Sequence, residues 1–143
     1  MEKTYFTIQQ AQIAIKTIKN DFKKILELKS SLDVIDSIDI EYTEEYTGNY
    51  DELNFTKLNK EFHKLSFEFF SKIEEIEKKG CVIKDIEEGL IDFYSIFNGK
   101  EIFLCWKYGE DKIEYWHDLE CGFSGRQHVE ELLTKKNKFS KIL

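Results

Sequence analysis

The side chains able to do chemistry gather in one stretch of this 143-residue chain, from Gly80 to Arg126. It holds both tryptophans, all three cysteines and the only arginine. Asp92 and His117 are a candidate acid–base pair, a carboxylate and an imidazole being the groups that move protons near neutral pH. With Glu110 they also form a candidate oxygen-and-nitrogen donor set for a divalent metal. Cys121-Gly122-Phe123-Ser124-Gly125-Arg126 places two glycines three apart ahead of the arginine. Such a loop can turn backbone N–H groups toward one point, so Gly122, Gly125 and Arg126 are candidates for binding a phosphate or carboxylate. Each feature also has a plain structural reading. Asp92 and Glu110 suit ion pairs, His117 suits a bond that ties sheet to helix, and Arg126 suits a brace to Asp118, Glu120 or Asp92.

Other chemistries lack their residues. No serine stands in a nucleophile elbow, and no phosphate-loop or dinucleotide fingerprint occurs, so no motif implies a cofactor. Cys81, Cys105 and Cys121 contain no CxxC pair and are odd in number, which fits free thiols in a reducing compartment. The strand expected at His117 ends before Cys121, and no second pair of zinc-like spacing occurs, so a closed zinc site is not expected. The net charge of −7 argues against nucleic acid, whose binders need a basic face. Lys135, Lys136, Lys138 and Lys141 make a basic tail that suits a solvated end. No apolar run approaches the ~20 residues of a membrane helix, and the first residues lack the build of a signal peptide. A cytoplasmic location is the expectation.

Two long helices are predicted ahead of this stretch. Thr7 and Gln10 form a capping box. Ala11, Ile15, Ile18, Phe22, Ile25 or Leu26, Leu28, Leu32 and Ile35 then recur at three- and four-residue steps. The stripe continues loosely through Ile38, Tyr42 and Tyr46 to a breaker at Gly48-Asn49. A second helix is predicted from about Asp51 to Lys79, striped by Phe55, Leu58, Phe62, Leu65, Phe69, Ile73 and Ile76 and widened by Phe67 and Phe70. Gly80 suits the left-handed position past its end. Two such helices imply an antiparallel, coiled-coil-like hairpin over residues 7–79 with its tip at 47–50. The first is the longer, so its first dozen or so residues overhang the partner and must bury their stripe on the C-terminal half of the chain.

After Gly80 the period changes from 3.6 to 2. Asn98-Gly99 is a strong hairpin signal, and three or four antiparallel strands are predicted. The fold class is α+β, with the domain spanning 1–127, its meander and Gly-rich loop in 80–127 and a tail at 128–143. Val129, Leu132 and Leu133 carry a weak signal for a short helix. Counting from Asn98-Gly99 pairs Asp92 with Cys105 and Ile91 with Trp106. A four-residue loop at Gly109–Lys112 pairs Trp106 with Tyr115 and Cys105 with Trp116. This puts Ile91, Phe93, Leu104, Trp106 and His117 on the core face, and Asp92, Cys105, Trp116 and Asp118 on a mixed second face.

The opening Tyr5-Phe6-Thr7 with Ala11, Gly80-Cys81, Lys84-Asp85-Ile86-Glu87 and Gly89-Leu90-Ile91-Asp92-Phe93 form an ordered set of motifs. Gly99, Leu104-Cys105-Trp106, Gly109-Glu110, Tyr115-Trp116-His117 and Gly122-Phe123-Ser124-Gly125-Arg126 complete it. In these the chain resembles an uncharacterised bacterial and archaeal family catalogued as domain of unknown function 2203. The likeness runs from Tyr5 to about Arg126. It implies a fold and shared residues, among them Lys84, Asp85, Asp92, Glu110, His117 and Arg126, and no activity. The family pattern favours proline at the positions of Lys16, Tyr94 and His128, whereas this chain contains none.

The residues support two functional expectations. The first, and preferred, is a non-enzymatic interaction or scaffold module, a helical stalk that meets a protein partner or a second copy as a homodimer. No basic residue falls between Lys29 and Lys57, so Glu41, Tyr42, Glu44, Glu45 and Tyr46 would give the tip an acidic, aromatic face. The second is a small enzyme or a metal- or anion-binding protein with its site on the meander and the Arg126 loop.

Overall fold

A computed structural model describes residues 2–45, 52–133 and 139–140, with side chains over 2–38 and 55–132. The chain is α+β. Helix α1 (Ile8–Glu45) starts where the capping box places it. The Gln10 amide N–H donates to Thr7 Oγ1 at 3.2 Å, and the Thr7 N–H donates to Gln10 Oε1 at 2.9 Å. Helix α2 spans Glu52–Lys78 and ends at Gly80, whose φ of +93° is the left-handed conformation expected there. The hairpin tip expected at 47–50 lies outside the described residues.

The stripe of α1 is buried from Ala11 to Leu28 and only half-buried at Leu32, Ile35 and Ile38. Burial thus extends past the first dozen or so residues expected to pack on the C-terminal half. Ile15, Ile18, Phe22 and Ile25 share one core with Ile91, Phe93, Leu104 and Trp106 of the sheet and Ile76 of α2. Asp21 of α1 pairs with Lys72 of α2 at 3.4 Å and with Lys79, just past the end of α2, at 3.2 Å. Phe67 and Phe70 do not widen the buried stripe of α2. They are 76% and 64% exposed, because the packed face of α2 runs through Phe69, Ile73 and Ile76.

The sheet comprises β1 (Val82–Asp85), β2 (Leu90–Phe97), β3 (Lys100–Lys107), β4 (Tyr115–Asp118) and β5 (Gln127–His128) in that order. It is antiparallel throughout. A two-residue strand, β6 (Phe139–Ser140), pairs with the far end of β2. The strand count thus exceeds the three or four expected, because segments of two residues carry no alternation to read. Asn98 and Gly99 take φ of +53° and +75°, the double positive of a tight hairpin turn, and they fix the predicted β2–β3 register. The short helix α3 (Glu130–Leu133) comes after β5. Val129 and Leu132 are buried in the common core, so the segment read as a tail from 128 onward begins with packed structure.

The β3–β4 register departs from expectation by one residue. Cys105 faces Tyr115, Leu104 faces Trp116 and Phe103 faces His117. The connection is longer than Gly109–Lys112 because its polar groups find partners off the ladder. Glu110 accepts the Lys107 N–H on Oε1 and the Trp106 indole N–H on its carbonyl, at 2.5 and 2.8 Å. Gln12 of α1 accepts the Ile113 N–H at 2.8 Å, and the Glu114 carbonyl accepts from Val129. β4 therefore begins at Tyr115. A one-residue slip exchanges the faces of a strand. Trp116 moves to the core side, and His117 joins Asp92 and Cys105.

Candidate metal and ligand site

Asp92 on β2, Cys105 on β3 and His117 on β4 occupy adjacent strands on the face away from α1. Their exposures are 2%, 1% and 3%. One donor atom from each lies within 4.8 Å of the others. The expectation that Asp92 and His117 stand on opposite faces is overturned, since Asp92 Oδ2 is 3.0 Å from His117 Nε2. The ring is held from both sides, with Nδ1 2.8 Å from the Asp118 carbonyl. A carbonyl only accepts, so Nδ1 carries a proton and donates it. Nε2 then faces a carboxylate that also only accepts. One proton between Nε2 and Oδ2, held as imidazolium with carboxylate or as imidazole with carboxylic acid, satisfies this geometry.

The charge balance favours a proton on the ring. Burial depresses the His117 pKa, but the Asp92 hydrogen bond, the Asp118 carbonyl and the Asp92 charge outweigh it, leaving the pKa above the ordinary 6.5. Burial, and then the Asp92 charge, push the Cys105 thiol up to about 12, so without a metal it stays protonated at neutral pH. Asp92 Oδ1 is buried and has no hydrogen-bond partner among the described residues. A buried carboxylate oxygen without a donor is costly, so a proton donor, a water or a cation at Oδ1 would stabilise the site.

A cavity of about 170 Å³ adjoins these three side chains. Lys84, Leu90, Leu119, Glu120, Cys121, Gly122 and Phe123 complete its lining. Phe103 lies near the rings of Tyr94 and His117, with centroids 4.6 and 5.5 Å away. The Lys84 ammonium sits 4.4 Å from the Phe103 ring centroid.

The remaining candidates lie around this site. Glu110 is not among the three donors and is instead bound to Arg126, Oε1 to Nη2, at 2.6 Å. Arg126 also donates to the Cys105 carbonyl at 3.4 Å. Its guanidinium carbon lies 4.0 Å from the Tyr115 ring centroid and 4.7 Å from that of Phe123. These contacts, to a carboxylate, a carbonyl and two rings, tie the loop that carries Arg126 to the sheet, and its buried Nε has no hydrogen-bond partner among the described residues. Gly122 lines the cavity, and Gly125 donates its N–H to the Gly122 carbonyl. Asp118 pairs with Lys100 at 3.0 Å. Glu41, Tyr42, Glu44 and Glu45 lie in the last turns of α1, and their side chains, with the whole of Tyr46, fall outside the described residues. Cys105 was legible as a neighbour of Asp92, but nothing in its spacing marked it as a donor.

A family model described as an uncharacterized conserved protein (DUF2203) matches residues 4–129. The chain belongs to this family. No curated protein and no solved structure matches it. The matched region takes in all of α1, α2 and β1–β5, and with them Asp92, Cys105, His117, Glu110 and Arg126. No helix among the described residues is long and apolar enough to cross a membrane.

Proposed function

We propose that the protein binds a divalent transition-metal ion of the zinc type through Asp92, Cys105 and His117. The observation that carries this reading is the histidine. Its Nδ1 is committed to a backbone carbonyl, the outer-shell arrangement of metal-bound imidazoles, while Nε2 points at a carboxylate with an unused oxygen. Mixed oxygen, nitrogen and sulfur donors suit Zn²⁺ better than Mg²⁺ or Ca²⁺, which take oxygen. Tetrahedral ligands at 2.0–2.3 Å stand roughly 3.3–3.8 Å apart, so within donors gathered to 4.8 Å an ion would widen the 3.0 Å approach of Asp92 and His117 by a few tenths of an ångström. The ion would deprotonate Cys105 and displace the second proton of His117. The reducing cytoplasm expected for this chain would keep the thiol available.

Competition of Zn²⁺ against a chromophoric chelator tests the proposal. The reduced protein is expected to take up one equivalent. Asp92→Ala and His117→Ala are each expected to weaken uptake by more than ~100-fold, since loss of an outer-shell partner alone costs 10- to 100-fold. Equal uptake by wild type and both variants would sink it.

A second reading is the interaction or scaffold module, in which a coiled-coil-like hairpin meets a partner or a second copy. Phe67 and Phe70, one turn apart and exposed on α2, support it. On this reading, Phe67→Glu with Phe70→Glu converts a dimer to a monomer in sedimentation. An unchanged mass would remove that surface from consideration.

A further inference from the structure

Resting on the metal-binding reading, we infer that Cys121 is the fourth ligand, so that the loop between β4 and β5 closes over the ion and makes a four-coordinate Asp-Cys-His-Cys centre. Asp92, Cys105 and His117 line the cavity, and Cys121 lines it with them. The loop is rooted in the ligands themselves. The Asp118 carbonyl accepts both His117 Nδ1 and the Cys121 N–H, at 2.8 and 3.2 Å, so a single oxygen anchors both the ring and the start of the loop. At the loop's other end, Arg126 holds the backbone carbonyl of Cys105. Between these anchors, Gly125 leaves the space that the cysteine occupies, since a Cβ there would come 2.7 Å from Cys121 Cβ.

Chemistry selects Cys121 over its neighbours. Glu120 also reaches the cavity, but a thiolate is the softer ligand and binds zinc in closed sites. Asp92 Oδ1, buried and without a hydrogen-bond partner among the described residues, gives the site a further oxygen that a cation could use. Cys121 stands outside the cluster of three donors, so ligation draws the loop inward. Each thiol gives up its proton to solvent as its sulfur bonds to the metal. The distinction bears on function. Closed sites of four protein ligands are structural, whereas catalytic sites keep one position for water or substrate.

Anaerobic titration with Co²⁺, a spectroscopic stand-in for zinc, separates the outcomes. Wild type is expected to give a tetrahedral spectrum with thiolate-to-metal charge transfer from two sulfurs. Cys121→Ser is expected to keep about half of that charge-transfer intensity and to bind at least ~10-fold more weakly. Cys121 is exposed, so its replacement leaves the core intact. A Cys121→Ser spectrum and affinity equal to wild type would overturn the inference and leave a three-ligand, open site. No uptake of Co²⁺ by wild type would overturn the metal-binding reading, and this inference with it.

Discussion

Asp92→Ala is expected to lower the stability of the chelator-treated protein by about 3–5 kcal/mol, the usual cost of breaking a buried ion pair from one side. Asp92 and His117 are both buried and face each other at 3.0 Å. Removing the carboxylate leaves a buried imidazole whose Nε2 has lost its partner. The measurement is the midpoint of urea unfolding at unchanged m-value. The double variant Asp92→Leu, His117→Phe should recover most of the loss, because apolar groups of similar volume replace both desolvated partners. A double variant no more stable than Asp92→Ala would mean that packing, and not the pair, was lost. The pH dependence has a definite sign. The folded-state pKa of His117 is raised above 6.5, so the contribution of the pair is complete below that value. It is lost as pH rises through the folded pKa, and the gap between wild type and Asp92→Ala narrows on the alkaline side. A gap constant with pH would show that the pair is not ionised.

The residues differ in how openly the sequence announces their places. The α1 cap, the end of α2 and the β2–β3 turn depend on contacts within a few residues, and Thr7/Gln10, Gly80 and Asn98-Gly99 were each readable for that reason. The partnership of Asp92 and Cys105 came from the turn alone. The partnership of Asp92 and His117 did not. It depends on where β4 begins, and that is decided by Gln12, far away in α1, which takes the Ile113 N–H off the ladder. A non-local hydrogen bond leaves no mark in the local pattern, yet it moves β4 by one residue and exchanges its faces. Phe67 and Phe70 erred the other way. Helical spacing permitted them in the stripe, but the packed face of α2 runs through Phe69, Ile73 and Ile76. The roles of Gly122 and Arg126 were undecided in sequence because a loop that binds an anion and a loop that is braced use the same residue types. Arg126 meets Glu110 at 2.6 Å and the rings of Tyr115 and Phe123.

Phe22→Ala is expected to destabilise the protein by about 3–5 kcal/mol, through lost transfer energy and the cavity left behind. Phe22 is fully buried at the point where α1 meets the sheet. Its ring centroid lies 5.6 Å from that of Tyr108, and its edge approaches the space above Gly89, where a Cβ would meet it at 3.6 Å. These neighbours belong to backbone turns at the ends of β2 and β3, which cannot collapse inward without breaking the Tyr108 N–H to Gly89 carbonyl bond of 2.8 Å. The cavity should therefore persist, which places the expected loss toward the upper part of the range. Phe22→Leu, which keeps most of the volume, should lose far less, under about 1.5 kcal/mol. Leu32→Ala makes the internal comparison. Leu32 lies further along the same stripe but is only half-buried, so its truncation should stay well below that of Phe22. Equal losses at the two positions would mean that α1 is stabilised evenly along its length. A steep difference would locate the root of the helix on the sheet that carries Asp92, Cys105 and His117.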